Sequence, residues 1–144
     1  MTDENLYLEQ EHRESGHFAV LEDDGTSAWL YISEVDSRKP LGDAWVYNRI
    51  IAPPAEAIKS NRGGPPPAVR GYAAKDAMCE DPFSHLWSFV WSPDGESVAV
   101  TKDGEPVAFI IGGQKGGYSR ELVKEGPWGH PWSENLYRST FGAA

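Results

Sequence analysis

Apolar and polar residues alternate with a period of two along several short stretches of the chain, the pattern of strands with one buried face. His17-Phe-Ala-Val-Leu-Glu22 alternates, meets the turn residues Asp23-Asp24-Gly25-Thr26, and leads into Ala28-Trp-Leu-Tyr-Ile32. That arrangement predicts a β-hairpin. Ala44-Trp-Val-Tyr-Asn-Arg-Ile-Ile51 predicts a third strand, and Ala52-Pro53-Pro54 ends it because proline has no N–H for a ladder. Further on, Leu86–Ser92, Ser97–Thr101 and Pro106–Ile111 are separated by Pro93-Asp94-Gly95 and Asp103-Gly104. Those turns suit tight hairpins, since glycine accepts positive φ, so residues 86–111 read as a three-stranded antiparallel meander. The glycine-rich run 112–117 reads as a connection to a last strand around Tyr118–Arg120.

Helical signals are few. Residues 55–60 predict a single helical turn, followed by a loop over 61–67 with a short polyproline stretch. Residues 72–80 predict a second short helix, stopped by Asp81-Pro82. Residues 132–141 predict a terminal helix with Ser133 as its N-cap. Aromatic residues recur at spacing two, in Trp29/Tyr31, Trp45/Tyr47 and Trp87/Phe89/Trp91, which places each set on one strand face. Trp128 and Trp132 stand apart, in a Gly/Pro-rich segment that no regular pattern explains.

The fold class is therefore mainly β: six to eight antiparallel strands in a two-sheet sandwich or a strongly curled sheet, with one or two short helices. A length of 144 residues, 40 % of them hydrophobic, suits one domain over 1–144. Within it lie a β block at 17–51, an irregular Pro/Gly-rich middle at 52–85, a β meander at 86–120 and a Trp-rich tail at 121–144. A core shared by both blocks is favoured, because two units of about 50 residues would each be marginal.

Charge narrows the function classes. The net charge is −9, and residues 1–43 carry eleven acids against three bases. This excludes a general nucleic-acid binder, which needs a Lys/Arg surplus, and opposes docking on anionic membranes. No apolar run is long enough to span a bilayer. The first residues carry neither a basic nor an apolar signal segment, so a cytoplasmic location is expected. The acidic third reads either as a solvated face that aids solubility or as a docking surface for a basic partner. On the second reading the partner-binding candidates are Glu22, Asp23, Asp24, Glu34 and Asp36. Trp128 and Trp132 join them as candidate anchors, against the alternative that they fold back over a sheet edge.

Catalytic chemistry finds little footing. His12 and His17 are five apart, a spacing that does not place two imidazoles on one helical face, and His85 and His130 have no partner at ligand spacing. No metal and no cofactor are expected. Cys79, Asp81 and His85 are close in sequence, but the simpler reading is a buried lone thiol. The carboxylates Glu22, Asp23 and Asp24 precede Gly25, where turn formation explains Asp better than acid–base chemistry does. Gly112–Gly117 lacks the spacing of a phosphate-binding loop. The aromatic stripes on strands read mainly as core, with Trp29, Trp45, Trp87 and Trp91 inside.

Trp91-Ser-Pro-Asp-Gly95 followed by Val98-Ala-Val100 looks like half a propeller blade, but it occurs once, and a propeller needs at least four blades. A broader likeness runs through His17–Gly25, Asp43–Asn48, Phe89–Gly95, Gly104–Phe109 and Gly117–Arg120 in one order. Over roughly residues 17–120 the chain is similar to domain of unknown function family 2251, a family of small bacterial proteins. The resemblance implies a compact β protein and no established activity, so it carries over no catalytic residue. The Pro-rich stretch at 52–67 and the tail after 125 depart from it.

The expectation for function is a non-enzymatic protein-binding module. Its most concrete form is a bacterial immunity protein that neutralises a toxin through an acidic surface. The alternatives are a homo-oligomerising structural protein, and a small-molecule binder or enzyme with a pocket near Cys79 and His85.

Overall fold

The computed structural model describes residues 5–34, 36–37, 39–56, 66–75 and 77–142. Period-two alternation becomes two sheets. The first contains β1 (Tyr7–His12), β2 (His17–Asp23), β3 (Ser27–Glu34) and β4 (Pro40–Asn48), in that order. The second contains β5 (Trp87–Trp91), β6 (Val98–Lys102), β7 (Glu105–Ile110), β8 (Tyr118–Ser119) and β9 (His130–Pro131), also in sequence order. Every pairing is antiparallel except β8 with β9, which is parallel and departs from the all-antiparallel expectation. The protein is thus mainly β, with two sheets that do not close into a barrel.

The hairpin turns follow the predicted chemistry. Asp24 Oδ1 accepts from the backbone N–H of Thr26 at 2.9 Å and of Ser27 at 3.0 Å, which closes the β2–β3 turn. Gly95 and Gly104 both adopt positive φ, in the β5–β6 and β6–β7 turns. No sequence pattern signals β1. Its residues Tyr-Leu-Glu-Gln-Glu-His offer the core only Leu8, next to Leu6 just before the strand.

The sheets bury their inner faces against each other. Leu21, Leu30 and Ile32 from the first sheet share one cluster with Val98, Val100 and Ile110 from the second, and all six are essentially inaccessible to solvent. The core is therefore common to both β blocks.

One register shift changes an expectation. A bulge between Ala28 and Trp29 leaves Val46 as an extra residue, so Trp29 faces Trp45 while Ala28 faces Tyr47. Trp45 and Tyr47 consequently lie on opposite faces of the sheet, although they are two residues apart. Tyr47 packs inward against Trp87, with ring centroids 5.4 Å apart, and Trp45 points outward.

Both outer faces receive a partial cover. On the first sheet, Trp29 and Trp45 pack under Ala68, Val69, Ala77, Leu122 and Trp128 from the middle segment and the tail. On the second sheet, Phe109 is covered by Tyr118, stacked at 4.8 Å, and by Trp132, Tyr137 and Phe141 edge-on. The last two belong to α1 (Glu134–Phe141), whose first turn is capped as predicted: Ser133 Oγ accepts from Leu136 N–H at 3.3 Å.

The helix expected at 72–80 does not form. Among its described residues, Ala73 bridges Leu122, Met78 bridges Asn48, and Ala74 N–H donates to the Glu121 carbonyl at 2.6 Å. Pairing with β4 and the tail consumes the backbone groups that a helix would need. The helical turn expected at 55–60 and the loop at 61–67 lie mostly outside the described residues.

Candidate functional site

The outer face of the first sheet carries three cross-strand rows. Tyr7, Glu22, Trp29 and Trp45 make the first, and Glu9, Val20, Tyr31 and Asp43 the second. Glu11, Phe18, Ser33 and Pro40 make the third. The tryptophan end of the first row lies under the middle segment and the tail. The remainder forms a concavity of about 410 Å³, lined by Tyr7, Phe18, Val20, Glu22, Tyr31, Ser33 and Pro40. Alternation produces this face directly: β2 and β3 send Leu21 and Leu30 into the core and Val20 and Tyr31 the other way.

Its electrostatics are one-sided. The Tyr31 hydroxyl is pushed well above its ordinary range, first by burial and then by the negative charges of Asp43, Glu22 and Asp24. Burial raises the Asp43 carboxyl as well. An apolar floor of Val20, Phe18 and Tyr31 thus sits among carboxylates, of which Asp43 is half-buried and Glu9, Glu22 and Asp24 are exposed. Such a surface favours a cation carried on an apolar body, as in a lysine or arginine side chain of a protein partner.

The acidic candidates separate. Glu22 belongs to this face. Asp24 stands exposed beside it and is committed to its turn, and Glu34 and Asp36 are exposed at and beyond the end of β3. Asp23 does not belong to any docking surface. It is buried, and its carboxylate accepts from Tyr47 Oη at 2.7 Å, Arg49 Nη1 at 2.9 Å and Gly25 N at 2.8 Å. The alternation of β2 turns it inward, and three donors satisfy it there.

The two tryptophans also separate. Trp128 is buried: its indole donates to the Pro66 carbonyl at 3.2 Å, and its ring meets Tyr72 at 4.9 Å. It folds back and is not an anchor for a partner. Trp132 is half-buried, lies against Phe109, carries the Arg120 guanidinium 3.9 Å above its ring, and donates to Glu134 at 2.9 Å.

Around Cys79 the structure forms a second cleft of about 510 Å³, with Lys75, Met78, His85 and Lys102 on its walls. Burial pushes the thiol up, against smaller lowering effects from Lys102, the Asp81 backbone and Arg49. His85 Nδ1 is engaged by Asp103 Oδ2 at 2.7 Å. Among the described residues no hydrogen bond links Cys79 to His85, and no three His, Cys, Asp or Glu side chains gather at ligand range. No helix among them is long and apolar enough to cross a membrane.

Sequence reasoning missed Tyr31, Asp43, Val20 and Phe18 as one surface. The signal lay in the non-core positions of β2 and β3, but assembling it required the β1 and β4 registers. Neither family models, nor curated proteins, nor solved structures give a match to this chain.

Proposed function

We propose that the protein is a non-enzymatic binding module that docks a basic protein partner on the outer face of its first sheet. The observation that carries this reading is the second cross-strand row, where Val20 and Tyr31 are flanked by Glu9 and by the water-poor carboxylate of Asp43. The concentration of acids in residues 1–43 supports it, because a field of one sign accelerates capture of an oppositely charged partner. Its most specific form is a bacterial immunity protein that neutralises a basic toxin.

The test is affinity capture from the native lysate at low and then high salt, read by mass spectrometry, with Glu22→Lys run in parallel. The expected result is one abundant basic protein, released as salt rises and absent from the Glu22→Lys capture. Capture that is indifferent to both salt and the Glu22→Lys change overturns the reading.

A further inference from the structure

Two sheets that do not close have four edges, and three of them are guarded. The free side of β4 is closed by backbone bonds: Asp43 N to Lys115 O at 2.8 Å, Gly117 N to Asp43 O at 2.7 Å and Cys79 N to Asn48 O at 2.7 Å. β1 carries Glu9 and Glu11, charges that discourage edge-to-edge pairing. β9 is two residues long and contains Pro131, which has no N–H to offer.

β5 has none of these devices. Its sequence is Trp-Ser-Phe-Val-Trp, without charge or proline, and among the described residues β6 is its only neighbour in the sheet. Its ladder can be phased from the flanking bonds. Asp103 N donates to Leu86 O at 2.7 Å and Ser92 N to Ser97 O at 3.0 Å, so Leu86, Ser88, Val90 and Ser92 are the positions bonded to β6. The N–H and C=O groups of Trp87, Phe89 and Trp91 therefore point away from the sheet. Leu86, at the entry to the strand, is 79 % exposed.

We propose that β5 is a self-pairing edge, which joins two copies of this chain through antiparallel β5–β5 hydrogen bonds centred on Phe89. In that register Phe89 lies opposite Phe89 of the second copy, and Trp87 lies opposite Trp91. The outward positions select this direction. Trp87, Phe89 and Trp91 are evenly spaced about Phe89, so a two-fold axis there sets each outward N–H and C=O against a counterpart on the second copy, and a two-fold axis through an edge strand requires antiparallel pairing. The contact is short, which places it among weak interfaces. It lies on the second sheet and is independent of the proposed basic-partner surface on the first.

Sedimentation velocity up to about 200 µM protein, where micromolar affinities are visible, gives the first reading. Amide hydrogen exchange at low and high concentration gives the second. The expected result is a monomer–dimer equilibrium in which the Trp87, Phe89 and Trp91 amides become protected as concentration rises. Val90→Lys places a charge beside the pairing axis and weakens the dimer by about tenfold or more, with the fold checked by circular dichroism. Ser88→Lys, at an exposed position, does the same and stands in if Val90→Lys fails to fold. A monomer throughout the range overturns the proposal. So does a dimer that survives both lysines, or one whose β5 amides exchange equally at all concentrations.

Discussion

Trp29 and Trp45 stand directly opposite each other across β3 and β4, yet their indole N–H groups meet different fates. Trp45 Nε1 donates to Asn48 Oδ1 at 2.9 Å, whereas Trp29 Nε1 is buried without a partner among the described residues. The two rings share one apolar cluster, so replacing either by phenylalanine removes similar contact area. The difference lies in the N–H. Trp45→Phe gives up a made hydrogen bond, and Trp29→Phe removes a desolvated donor that gains nothing where it is. Trp45→Phe is therefore expected to cost more, by roughly 1–3 kcal/mol. Urea unfolding of the two variants measures that gap. Equal losses would mean that the Trp45 bond contributes nothing net.

Asp23 joins the end of β2 to Tyr47 of β4 and to Arg49 just past that strand. Removing its carboxylate leaves the buried Tyr47 hydroxyl and a largely covered guanidinium without their acceptor. Asp23→Ala is expected to destabilise the fold by about 3 kcal/mol, in the range seen when one partner of a buried pair is removed. The shift in urea midpoint reads it. Because Asp23 lies away from the outer face, partner capture by whatever fraction stays folded should be unchanged.

Two tyrosines set the alkaline limit. Burial, then the hydrogen bond and charge of Asp23, push the Tyr47 hydroxyl far above its ordinary value of about 10. Burial, then Asp43, Glu22 and Asp24, do the same for Tyr31. In the unfolded chain both phenols lose their protons near pH 10, while the folded state holds them. The stability they carry is complete below about pH 10 and is lost as pH rises past it, since the unfolded state then binds fewer protons. Phenolate absorbance should show both groups ionising together with the loss of circular dichroism. Reversible ionisation of all six tyrosines before unfolding would contradict the burial assigned to them here.

The strands were legible because turn chemistry and alternation agree. Asp23–Thr26, Pro93–Gly95 and Asp103-Gly104 each mark a hairpin that forms. Ser133 was legible for the same reason, since one hydroxyl at one position performs the capping. Three features resisted. β1 is too polar to announce itself, because an edge strand needs only one apolar side. The bulge at Val46 inverts the facing of Tyr47 through a register that no local pattern encodes. The segment at 72–80 has helix-compatible residues, but β4 and the tail take up its backbone groups. The outer face depends on the first two of these features. Its acids could be counted from the sequence, but which of them turn outward could not be read there: Glu22 does and Asp23 does not.

Asp43 ties stability to binding with opposite signs. Burial raises its carboxyl, so the folded state resists the ionised form that dominates at neutral pH. A raised carboxyl helps stability only where it is protonated, and that help fades as pH climbs through its folded value. Asp43→Asn keeps the shape and removes the charge. The variant is therefore expected to unfold at higher urea than the wild type at pH 7, with the gain vanishing below the ordinary aspartate range of about 3.9. The same charge faces Tyr31 on the proposed docking surface, so Asp43→Asn is also expected to weaken capture of a basic partner and to flatten its salt dependence. A fold that sheds a costly carboxylate and gains stability while losing its partner is what a functional charge predicts. If Asp43→Asn gains stability and binds the partner unchanged, the carboxylate is incidental and the docking surface lies elsewhere. If it loses stability at pH 7, Asp43 is held by favourable contacts, and the electrostatic case for this face fails with it.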